Sequence, residues 1–112
     1  MGADSFLAFY GIKFELEPDD EDGIDACDEG TDARCVKARQ SGLESFSGRM
    51  TEGEDYFLYI GQPVAWLGLE HEQHLAQPAE RLASLATEVK AKLAAAGFAQ
   101  APALHFQFIG QY

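Results

Sequence analysis

The chain has 112 residues, 46% of them apolar, with eight Phe, four Tyr and one Trp, and a formal net charge of −11. That length suits one domain, residues 1–112, able to bury roughly two-thirds of its unfolded surface, and the composition excludes a disordered chain or a disulfide-dependent scaffold. No stretch reaches the ~18 consecutive apolar residues of a membrane span, and a strongly negative field opposes direct nucleic-acid binding.

The first predicted element is a long strand from Ser5 to Glu17. Phe6, Ala8, Tyr10, Ile12, Phe14 and Leu16 alternate with Leu7, Phe9, Lys13, Glu15 and Glu17. One face is expected in the core throughout, the other only over its first half, and the strand's length suits a central position. The opening residues lack a basic region, so they read as a strand and not as a signal peptide.

Pro18 ends that strand and opens the most charged part of the chain. The stretch 17–32, EPDDEDGIDACDEGTD, packs nine carboxylates into sixteen positions with no Lys or Arg. Gly23, Gly30 and like-charge repulsion predict a flexible acidic loop. Beyond it acidic and basic residues nearly balance, so this segment carries almost the whole charge excess.

A short helix is expected over 32–41, with Asp32 as N-cap and Gly42 just past its end. The segments LESFSGRM, DYFLYI and PVAWLGL read as three strands. Turns are expected at Thr51-Glu52-Gly53-Glu54 and at Gly61-Gln62, the second of type II′, with Pro63 opening the third strand. After the polar connection LEHEQHLAQ, a long helix is expected over 78–96. Pro78 takes its first position, Leu82, Leu85, Ala86, Val89 and Leu93 form its apolar side, and Gly97 closes it. Leu104, Phe106 and Phe108 then alternate with His105, Gln107 and Ile109 in a terminal strand. The order β-(α)-β-β-β-α-β implies an α+β fold, with about five mostly antiparallel strands and both helices on one face.

Three constellations bear on chemistry. Set against the calcium-loop pattern D-x-[DN]-x-[DN]-G-x5-E with Gly23 as its glycine, the acidic stretch supplies Asp20, Asp22 and Glu29 as ligands. Pro18, however, falls at the first ligand position, and a strand precedes it instead of a helix. His71 and His74 lie three apart and would share a helix face suited to zinc, with His105 or a carboxylate as third ligand. No zincin pattern, phosphate loop or nucleophile elbow is present. Cys27 and Cys35 are read as free thiols in a reducing compartment, which points to a cytoplasmic protein. Carboxylates around Cys27 disfavour its thiolate, whereas Arg34, Lys37 and Arg39 surround Cys35.

The expected role is a non-enzymatic interaction module or inhibitor that meets a basic protein surface through Asp19, Asp20, Glu21, Asp22, Asp25, Asp28 and Glu29. Divalent-metal binding, by calcium at the acidic stretch or zinc at His71 and His74, is the alternative. An enzyme of unassigned class is the third reading.

Overall fold

In a computed structural model that describes residues 4–49 and 56–109, Ser5–Leu16 forms one uninterrupted strand, β1. It is followed by α1 (Glu21–Glu29), α2 (Ala33–Gln40), β2 (Glu44–Arg49), β3 (Tyr56–Gly68), α3 (Ala79–Ala96) and β4 (Ala103–Ile109). The four strands form an antiparallel sheet in the order β2-β3-β1-β4, with β1 central as its length implied. Two β-α-β units interleave: β3 lies between β1 and β2, and β1 lies between β3 and β4. The α+β class and the single helix-bearing face match the sequence reading.

Strand count is the main departure. The two strands expected from DYFLYI and PVAWLGL are replaced by one thirteen-residue strand, Tyr56–Gly68, so the described sheet has four strands. Gly61 makes no turn; it pairs with Gly11 across β3 and β1. A Cβ on Gly61 would strike the Tyr10 carbonyl, and one on Gly11 would strike the Ile60 carbonyl, so the glycines permit close backbone approach. Gly61 also holds φ at 154°, open chiefly to glycine. Immediately beyond it the register shifts: Ala8 pairs with Ala65 and Phe9 with Pro63, leaving Val64 as the bulged residue. Pro63 is tolerated mid-strand because it sits at this bulge, past Glu44↔Gly61 where β2 pairing ends. The turn expected at 51–54 lies outside the described residues.

The second departure concerns residues 17–32. Where a flexible loop was expected, α1 occupies 21–29. Asp20 caps it by accepting from the Gly23 N–H at 3.1 Å, and Glu21 and Asp22 place negative charge in the first turn, where the helix dipole favours it. Repulsion among the carboxylates is relieved because most of them point into solvent. Cys27, on the opposite side, is buried. The helix ends at Gly30, with the Thr31 N–H donating to the Ala26 carbonyl at 2.9 Å. The other two helices follow expectation closely. Asp32 caps α2, and the Leu43 N–H returns to the Ala38 carbonyl past Gly42. Pro78 stands just before α3 as its cap residue, and Phe98 folds back past Gly97 onto the last turn.

All three helices cover the same face of the sheet. Ile12, Leu58 and Ile60 from the strands meet Cys27, Cys35, Ala38, Val89 and Leu93. The opposite face carries a second cluster of Leu7, Phe9, Phe57 and Tyr59, joined by Phe46 and Trp66. Lys13 lies over the Phe57 and Tyr59 rings, 5.4 and 5.7 Å from their centroids, and His71 stacks on Trp66. Phe6, expected in the core, is half-exposed, because the helices reach only the later half of β1. No helix among the described residues is long and apolar enough to cross a membrane.

Candidate functional site

The acidic segment becomes a site through where α1 is held. Pro18 turns the chain out of β1, the Asp20 N–H donates to the Glu17 carbonyl, and α1 then runs beside β2. One side-chain contact ties them: the Ser47 hydroxyl donates to Asp28 Oδ1 at 2.6 Å. Between α1 and the sheet lies an open groove of about 480 Å³. Glu21, Asp25 and Asp28 line it at helical spacing, and Leu16, Ile24 and Tyr56 supply apolar surface. No basic side chain is among its described lining residues. A shallower depression lies on the other side of the Asp28–Ser47 contact and reaches Glu29 and Cys27.

The structure therefore divides the seven carboxylates singled out from sequence. Glu21, Asp25 and Asp28 share the groove. Asp20 is committed to the helix cap, and Glu29 belongs to the neighbouring depression. Asp19 and Asp22 are exposed and line neither. Groove chemistry follows directly: carboxylates beside an apolar strip accept the ammonium or guanidinium of a long basic side chain and cover its aliphatic stem.

Neither metal set expected from sequence is assembled. Asp20, Asp22 and Glu29 do not converge into a three-donor group, since α1 spreads them along a helix instead of wrapping them round a loop. His71 and His74 share no helix face, because residues 69–77 are non-helical and Glu72 bridges to Leu67. His105 lies elsewhere: its Nε2 is 3.2 Å from the Gly11 carbonyl oxygen and its ring packs on Tyr59.

Another group of donors does converge. Cys27 Sγ, an Asp32 carboxylate oxygen and Cys35 Sγ all lie within 4.8 Å of one another where α1 meets α2. Both thiols are buried and free. Arg34 orients the carboxylate, donating from Nε to Oδ1 at 2.9 Å and from Nη2 to Oδ2 at 3.1 Å, with Nη2 also 3.8 Å from Cys27 Sγ. Hydrogen bonding from Arg34 holds the Asp32 carboxyl below its ordinary range. Burial, followed by the Asp32 charge, pushes the Cys27 thiol up to about 11. None of the three was read from sequence as a metal donor, Asp32 included. The cap role of Asp32 was legible, but only the packing of α1 on α2 turns the C-x4-D-x2-C spacing into one cluster.

No family model, curated protein or solved structure matches the chain.

Proposed function

We propose that the chain is a non-enzymatic protein-interaction module whose α1 groove accepts a basic segment of a partner protein. One observation carries the reading: Glu21, Asp25 and Asp28 line a single groove beside the apolar side chains of Leu16, Pro18, Ile24 and Tyr56. A lysine- or arginine-rich segment with interspersed aliphatic residues fits both chemistries, whereas a phosphate backbone is repelled. An inhibitor that occupies a partner's nucleic-acid-binding groove by imitating phosphate charge falls within this reading. The test is fluorescence anisotropy of a labelled Lys/Arg/Leu peptide against the wild type and the triple variant Glu21→Gln, Asp25→Asn, Asp28→Asn. Wild-type affinity should fall steeply with salt, and the variant should bind at least tenfold more weakly. Equal binding by the variant would refute the groove.

A second reading, divalent-metal binding, is favoured by the Cys27, Asp32 and Cys35 donors. Two thiolates and a carboxylate balance the charge of Arg34 plus one divalent cation, and thiolates select zinc over calcium. Arg34 would serve as the outer partner that orients the carboxylate. Zinc titration by calorimetry under reducing, metal-free conditions tests it. One equivalent should bind and be lost in Cys35→Ser; no heat from the wild type ends this reading.

A further inference from the structure

The terminal strand turns its more apolar side outward. Phe106 is 74% exposed, with Phe108 at 40% and Leu104 at 39%, whereas the polar Gln107 between them is buried. Register places all three beside β1 residues on one face: Leu104 opposite Tyr10, Phe106 opposite Ala8 and Phe108 opposite Phe6. Phe6 is itself 50% exposed and packs on Phe108 with ring centroids 5.2 Å apart. These four side chains form one patch on the helix-bearing face, beyond the reach of the helices. β4 is also an edge strand, with no partner on its outer side among the described residues.

We propose that this patch and the outer edge of β4 form the interface of a two-fold symmetric dimer of the chain. Charge selects a second copy as the occupant. From Leu93 to Tyr112 the sequence has no Asp, Glu, Lys or Arg, so β4 lacks the charged guards with which monomeric proteins protect an edge strand. A net charge of −11 would drive two copies apart, but α1 packs by β2, at the opposite edge of the sheet. The copies can therefore meet along an uncharged edge with their acidic helices outermost. An acidic or basic partner would gain no complementary charge there.

Sequence symmetry and area agree with this occupant. Leu104, Phe106 and Phe108 are evenly spaced, so antiparallel pairing about an axis at Phe106 sets Leu104 against Phe108 of the second copy and Phe106 against its equivalent. With about 150–250 Å² per aromatic side chain, the four exposures leave roughly 400 Å² of apolar surface open. That is about half of the ~800 Å² each partner contributes to a standard interface, and the strand edge with its flanks supplies further area.

Sedimentation equilibrium of the full chain at about 10–100 μM tests the proposal. The expected mass is twice 12.2 kDa, and Phe106→Glu should sediment as a monomer with an unchanged far-UV spectrum. Should that variant fail to fold, Phe106→Gln is read in its place. Hydrogen exchange of wild-type residues 103–109 gives a check without mutation, since these amides should lose protection on dilution below the dissociation constant. A wild type that stays at 12.2 kDa, or a folded Phe106 variant that remains dimeric, would overturn the proposal.

Discussion

The Tyr59 hydroxyl on β3 donates a 2.7 Å hydrogen bond to Gln107 Oε1 on β4, passing over β1, which lies between the two strands. Both side chains are buried, so each satisfies a polar group the other would strand. Gln107→Leu removes the acceptor and should cost about 1–3 kcal/mol, while Tyr59→Phe with Gln107→Leu should recover part of that loss. Urea unfolding of the four forms of this cycle measures the coupling. Additive losses would show that the pair contributes nothing beyond its separate packing.

Burial raises the Tyr59 phenol above its ordinary value near 10. The unfolded chain loses that proton first, so the stability linked to Tyr59 is complete below pH 10 and declines as pH rises from there through the folded value. Thermal melts between pH 8 and 11 should fall more steeply for the wild type than for Tyr59→Phe. Cys27, held up to about 11 from an ordinary 9, acts in the same direction and leaves a residual slope in that variant.

The paired glycines are expected to be the least replaceable residues of the sheet. Gly11→Ala and Gly61→Ala each drive a methyl into the facing carbonyl, and each should cost about 3 kcal/mol or more. Gly97→Ala meets no atom within 4 Å but keeps a φ of 87°, so it should cost about 1–2 kcal/mol. Denaturant midpoints compare the three. Equal losses would mean that backbone conformation, and not strand approach, sets the requirement at Gly61.

Carboxylates of the acidic stretch should differ in how they respond to neutralisation. Asp25→Asn relieves repulsion and should leave stability unchanged or slightly raised. Asp20→Ala removes the α1 cap and should cost about 1 kcal/mol, most of it restored in Asp20→Asn, which can still accept from Gly23. A melting-temperature series distinguishes them. Uniform stabilisation across all sites would show that the cap is not formed in solution.

Periodicity and punctuation revealed α2 and α3 because those signals are local. Asp32 and Gly42 bracket α2, and Gly97 closes α3 where expected. Two ambiguous signals misled. Gly61 followed by Gln62 suits a hairpin turn or a close strand crossing, and only the facing Gly11 decides between them. Dense charge argued against order at 21–29, yet the Asp20 cap and buried Cys27 prevail once β2 and α2 lie alongside. The alternation of β4 was legible, but not which side faces outward, because that depends on where helices from elsewhere in the chain end. For the same reason the acidic residues of the groove were visible in sequence, whereas their apolar neighbours Leu16 and Tyr56 were not.

Helix α1 ends with Asp28 and Glu29 and has no basic residue in its last turn, so its own charges oppose its dipole there. The compensating cation comes from α2, where Arg39 donates from Nη1 and Nη2 to the Gly30 carbonyl. Helicity in the acidic segment is thus borrowed from its neighbour. A peptide of residues 17–32 alone should be a coil, and one extended through residue 42 should gain helix. In the intact protein the two helices should open to solvent exchange as a single cooperative unit.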